Sequence, residues 1–256
     1  MMTTNALERD GERSHAAQLK QEALPASFSL SRRLFAWSAH LLTASGAVVG
    51  LFSLVAITQR EWRLAWLWLC LAFVIDAVDG TLARAAHVGE VLPDFSGKML
   101  DYVIDFVTFV VAPALFLYQA DMLPEPARLV CVAAILLVSG YHYGNLKAVT
   151  ADYHFKGLPG PWNVIVFYLF VLELGRWWNV LIVAAACILH FVPIKFIYPT
   201  RTRRLRSLTV GLTFLGCFLN AVILLWYPVR NPLLIIASLL ILGYMLALSL
   251  YQTFAD

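Results

Sequence analysis

Eight apolar runs, most of them close to membrane-crossing length, decide what this chain can become. They fall at about 35–57, 64–83, 98–118, 128–149, 164–174, 177–198, 208–226 and 233–251. About 20 apolar residues in helical form cross the hydrocarbon core of a bilayer, and a helix satisfies its backbone polar groups without water. The expected fold class is therefore an all-α integral membrane protein, a bundle of about eight transmembrane helices with a polar N-terminal tail. Only 14% of residues are charged and 61% are hydrophobic, whereas a soluble domain carries about 25% charged residues. The fifth run is short unless it begins at Pro161, and proline suits the first turn of a helix. Residues 1–30 hold no apolar core, so they read as a cytoplasmic tail rather than a secretory signal. Residues 31–256 read as one transmembrane domain. Cys70, Cys131, Cys187 and Cys217 are scattered one per apolar run, which argues against a disulfide framework or a cysteine metal site. A net charge of +3 is too small to argue for nucleic acid.

An even number of spans puts both termini on one side. Lysine and arginine in short loops favour the cytoplasm. With the N-terminus inside, the inner flanks hold Arg32, Arg33, Arg84, Lys98, Lys147, Lys156, Lys195, Arg201, Arg203, Arg204 and Arg206. The outer flanks hold Arg60, Arg63, Arg128, Arg176 and Arg230. The basic excess therefore assigns both termini to the cytoplasm. The densest cluster, Arg201 to Arg206, reads first as a topology signal and an attraction for anionic headgroups. Trp62, Trp66, Trp68, Trp177, Trp178 and Trp226 lie near expected span ends, as interface anchors do.

One stretch departs from the apolar pattern: DAVDGTLARAAHVGEVLPDFSGKMLDYVID, residues 76–105. Ionisable side chains in membrane-length apolar segments are costly and usually mark function. Residues three and four apart share a helix face. Asp76, Asp79, Gly80 and Ala83 then form one stripe of the second span, and Gly97, Asp101 and Asp105 one stripe of the third. A short loop makes the two spans antiparallel neighbours, so the acidic stripes face each other. Four bare carboxylates so placed repel, and divalent cations remove the repulsion. Mg2+ and Mn2+ favour oxygen ligands and bridge carboxylates to phosphates. Arg84 offers a fixed fork for phosphate. In the first span, Gly46 and Gly50 allow a second helix to approach closely.

The residues DGTLAR, then Gly97, Asp101 and Asp105, resemble the motif D-G-x-x-A-R … G-x-x-x-D-x-x-x-D of the CDP-alcohol phosphatidyltransferases, with Asp76 as the additional acid upstream. Twelve residues separate Arg84 from Gly97, where the family usually has eight. That spacing, and the segment FKGLPGPWN at 155–163, resemble the bacterial branch that uses choline. The resemblance implies a family domain over residues 31–256 in a bacterial inner membrane, with its active site facing the cytoplasm. It implies transfer of a phosphatidyl group from CDP-diacylglycerol to choline with release of CMP. By the same resemblance, Asp76, Asp79, Asp101 and Asp105 bind two divalent ions, Mg2+ or Mn2+, and Asp105 is also the general base. Asp76, Gly80, Ala83, Arg84 and Gly97 are implied to hold CDP. Homodimers are common in the family, so a second copy of the chain is an expected partner beside membrane lipids.

Choline carries a quaternary ammonium without an N–H, so aromatic faces rather than hydrogen bonds must hold it. Candidates are Tyr143 and Trp162, then Tyr102, with Glu90 of the lengthened loop as a carboxylate within reach. Serine or another alcohol as acceptor is the alternative within the family. A cation transporter using the buried acids is the non-enzymatic alternative.

Overall fold

The computed structural model describes residues 28–145, 155–158, 162–196 and 205–255. Most of the polar tail, Arg201, Arg203, Arg204, Lys147 and the assumed helix start at Pro161 lie outside the described residues.

The chain is built from helices: α1 (Leu30–Thr58), α2 (Trp62–Ala85), α3 (Val88–Val91), α4 (Gly97–Asp105), a π-helical stretch (Phe106–Val111), α5 (Ala112–Gln119), α6 (Glu125–Gly144), α7 (Trp162–Leu172), α8 (Arg176–Leu189), α9 (Arg206–Trp226) and α10 (Pro232–Ala255). Six helical segments are long and apolar enough to cross a membrane, with α4, the π stretch and α5 counting as one (Gly97–Gln119). Together these features define an all-α integral membrane protein.

All eight apolar runs are helical, but two are shorter than expected. Helix α7 has 11 residues and α8 has 14. At 1.5 Å per residue these are about 17 and 21 Å long, less than the roughly 30 Å hydrocarbon core. The sixth run was expected to continue to 198, yet α8 stops at Leu189. Pro193 cannot continue a helical ladder. There the chain turns, with the Gly157 N–H donating to the Ile194 carbonyl at 3.0 Å and the Leu158 N–H to the Leu189 carbonyl at 3.2 Å. Two two-residue strands follow from this arrangement, β1 (Phe155–Lys156) and β2 (Lys195–Phe196), paired antiparallel. Gly157 has φ +79°, and a Cβ there would stand 2.1 Å from the His190 carbonyl oxygen. Part of the FKGLPGPWN segment is thus explained by backbone packing.

The centre is aromatic. Trp66 of α2 is 2% exposed and meets Phe116 of α5 at 4.9 Å and Phe167 of α7 at 5.4 Å between ring centroids. Trp66 is therefore core, not the interface anchor its sequence position suggested. Trp177, Trp178 and Trp226 are exposed.

Helices α1, α2 and α4 pack together and position the acids. Between lipid-immersed helices the hydrophobic effect contributes little, and close packing of small residues takes its place. A Cβ on Gly46 would come within 2.9 Å of Ile104, and one on Gly50 within 3.0 Å of Thr108. Both glycines therefore serve contacts inside the chain. The α1–α2 hairpin is tied by the Ser53 hydroxyl, which donates to the Ala65 carbonyl at 3.1 Å.

Candidate active site

Helix α4 starts at a local signal. Ser96 caps it, its hydroxyl accepting from the Met99 N–H at 3.3 Å, as N-cap serines do. Nine residues later the α geometry ends at Asp105 and the π stretch begins. Pro113 accounts for this locally: it lacks an N–H, and its ring crowds the carbonyl four residues back. The widened turn accommodates both, and the Ala112 N–H reaches back five residues to the Val107 carbonyl. The Thr108 hydroxyl donates to the Ile104 carbonyl at 3.0 Å. π-Helical insertions of this kind often accompany functional sites.

The fold brings the acids together as the face analysis expected. Asp76 of α2 and Asp101 and Asp105 of α4 each present a carboxylate oxygen, and these three atoms lie within 4.8 Å of one another. All three are half-buried. Asp79 stands beside the trio, 5% exposed, within electrostatic reach of Asp76, Asp101 and Asp105. The Thr43 hydroxyl of α1 and the Gly80 amide face its carboxylate. No ion pair among the described residues involves these acids. At about 4.8 Å and an effective dielectric of about 20, each ionised pair repels by roughly 3 kcal/mol. A divalent cation among the three carboxylates would relieve this repulsion, so the cluster fits such ions in its donor chemistry as well as its spacing. Hard oxygen donors in this number suit Mg2+ or Mn2+.

The other expected site residues divide. Arg84 is exposed and folds back along its own helix, its guanidinium donating to the Thr81 hydroxyl at 3.0 Å. One guanidinium nitrogen stands 3.4 Å from where a Gly80 Cβ would be. Ala83 packs with the small cluster of Ala36, Ala39, Ala86, Val88, Val91 and Leu92. The open face of Gly97 meets the His40 ring, whose Cε1 would lie 2.7 Å from a Cβ there. The small residues of the motif thus lie against side chains of the chain's own helices.

Of the aromatic candidates, two come together beside the acids. Tyr143 of α6 meets Tyr102 at 5.9 Å and Phe106 at 5.6 Å, both edge to face. It is within electrostatic reach of Asp105, Asp76 and Asp101. The outer face of Tyr102 already holds the Lys98 ammonium, 5.3 Å from the ring centroid. Trp162 does not join this group. It is fully buried, stacks on His190 at 5.5 Å, and its indole N–H donates to the Ser139 hydroxyl at 2.8 Å. It therefore has no face free for a ligand. Glu90 sits on α3 with its side chain 73% exposed, 3.7 Å from His87. Phe106, one residue after Asp105 at the start of the π turn, completes this aromatic group.

The paired acidic stripes and their spacing suit an enzyme that handles phosphate groups through divalent cations. The CDP-alcohol phosphatidyltransferase family model matches residues 36–192, so the chain belongs to that family. Family membership makes it a phosphatidyltransferase and sets aside the cation-transporter alternative. The family generally uses a divalent metal. Among its relatives, the phosphatidylcholine synthase of Mesorhizobium japonicum is 43% identical over 189 residues, covering 74% of this chain and 70% of the relative. Those of Pseudomonas aeruginosa and Legionella pneumophila are each 36% identical, covering 83% and 89% of this chain and 90% and 92% of the relatives.

Proposed function

We propose that this chain is a phosphatidylcholine synthase, joining CDP-diacylglycerol and choline to give phosphatidylcholine and CMP. The observation that carries the reading is the meeting of three carboxylates within 4.8 Å beside the Tyr143 ring cluster. One feature recognises a diphosphate through cations, and the other suits a quaternary ammonium. The relatives' shared name supports the choice of acceptor.

In this reading Asp76, Asp79, Asp101 and Asp105 hold two Mg2+ or Mn2+ ions. When bound, such ions neutralise the diphosphate and stabilise charge on the entering and leaving oxygens. Arg84 swings from Thr81 to a phosphate oxygen, which its planar fork suits. Asp105 accepts the proton of the choline hydroxyl, and a base so placed contributes typically 10²–10⁴-fold. The choline oxygen bonds to the phosphorus that carries diacylglycerol, and the bond from that phosphorus to CMP breaks. Tyr143, with Tyr102 and Phe106 around it, holds the ammonium by cation–π attraction. The acyl chains remain in lipid. The reading places the protein in a bacterial inner membrane with the acids and both termini at the cytoplasm. A homodimer remains part of the proposal, although Gly46 and Gly50 are engaged inside the chain and lend it no support.

The test uses membranes containing the chain, CDP-diacylglycerol, Mn2+ and labelled choline, serine, glycerol 3-phosphate or inositol phosphate in separate reactions. Label should enter lipid from choline, with one CMP released per lipid formed. Incorporation of serine but not choline would overturn the choice of acceptor.

A further inference from the structure

The geometry points to His40 of α1 as a nucleotide-positioning residue, one that hydrogen-bonds the cytidine portion of the substrate. This rests on the proposed use of a CDP-activated lipid. His40 is 4% exposed, and its Nε2 is buried with no hydrogen-bond partner. Leaving a buried polar atom unsatisfied is destabilising, so such an atom in a native structure calls for a reason. Its aromatic neighbours supply no partner: Phe95 meets the ring at a tilt, 4.4 Å between centroids, and Trp37 meets it edge to face at 5.7 Å.

Its position narrows the ligand. Three of its ring atoms, Cε1, Nδ1 and Nε2, lie within 4.0 Å of the space a Cβ on Gly97 would take. Gly97 is one helical turn before Asp101, about 6 Å along the axis. His40 is also one turn before Thr43, which faces Asp79. A diphosphate held at the carboxylates therefore places its attached ribose and base one turn away, on the His40 side. Cytidine offers ring, carbonyl and hydroxyl atoms there for an imidazole nitrogen. Phe95, 39% exposed in the α3–α4 connection, offers an aromatic face beside the ring on that side.

The probe is CMP, whose binding is independent of the acceptor alcohol. Thermal stabilisation of the detergent-purified protein by CMP and by Mn2+ would be measured for wild type, His40→Phe and His40→Gln, together with KM for CDP-diacylglycerol and for choline. Phenylalanine keeps a ring among Phe95 and Trp37 without a polar atom, and glutamine keeps an amide N–H. The expected result for His40→Phe is loss of the CMP shift and about a tenfold rise in KM for CDP-diacylglycerol. Its Mn2+ shift and choline KM should stay at wild-type values, and His40→Gln should recover part of the CMP shift. Wild-type CMP binding in His40→Phe overturns the inference. So does equal loss of CMP and Mn2+ shifts in both variants, which marks a purely structural role. If the wild type binds CMP but transfers to serine rather than choline, the proposed acceptor falls while the His40 result stands on its own.

Discussion

Two polar clusters sit among these apolar helices, and they solve the problem of burial in opposite ways. In the first, Tyr168 of α7, Ser238 of α10 and Asn220 of α9 satisfy one another: the Tyr168 hydroxyl meets the Ser238 hydroxyl at 2.5 Å, and Ser238 donates to the Asn220 side-chain oxygen at 2.5 Å. Donors are matched to acceptors, no charge is present, and nothing from outside is required. In the second, Asp76, Asp101 and Asp105 offer only acceptors of like charge once ionised, and no ion pair among the described residues reaches them. The first cluster is complete as folded. The second finds no such match among the described residues, and in the proposed reading cations complete it, which separates helix-binding polarity from a working site.

The contrast can be broken at five residues. The largest effect is expected from Asp105→Asn. Removing the base should cut CMP release by about 10³-fold while the thermal midpoint holds or rises, because one repelling charge is gone. Turnover unchanged in that variant would remove Asp105 from the base role. Next, Asp101→Asn should raise the Mn2+ concentration for half-maximal rate by at least about tenfold, since even outer-shell changes at metal sites cost 10–100-fold. A titration of rate against Mn2+ reads this directly. Third, Tyr143→Leu should raise KM for choline by about tenfold, within the range of a desolvated cation–π contact, with KM for CDP-diacylglycerol unchanged. Tyr102→Leu should do less, because Lys98 already occupies one face of that ring. The smallest effect on activity belongs to the self-satisfied cluster. Ser238→Ala should destabilise the fold by about 1–3 kcal/mol, removing the hydroxyl shared by Tyr168 and Asn220, with turnover within about twofold of wild type. Chemical denaturation alongside the CMP assay separates the two.

The acids were legible in the sequence because helical spacing is a strict rule. Asp76 and Asp79 at three apart, and Asp101 and Asp105 at four apart, had to share faces. What the sequence could not reveal was which side chains fill the gaps left by small residues. Gly97 reads as open space until His40 is seen against it, and Gly80 until Arg84 folds back. The lengths of α7 and α8 were hidden for another reason. Apolar content continues past Leu189, and only Pro193 and the backbone bonds to Gly157 and Leu158 end the helix there. Trp162 failed as a ligand candidate because an aromatic near a span end reads the same whether it lines a site or fills a core. Its hydrogen bond to Ser139, 23 residues away in sequence, is tertiary information. The π turn that begins at Phe106 was not legible, because Pro113, seven residues downstream, is the one mark of it in an otherwise apolar run.

The most direct test of the central claim is the stoichiometry of Mn2+ on the purified protein in the presence of CDP, followed by electron paramagnetic resonance, for wild type and for Asp76→Asn. Two bound ions per chain in the wild type, with loss of at least one in the variant, is the expected result. A wild type that binds no Mn2+, or an Asp76→Asn variant that binds it as the wild type does, would contradict the assignment of these carboxylates as a metal site.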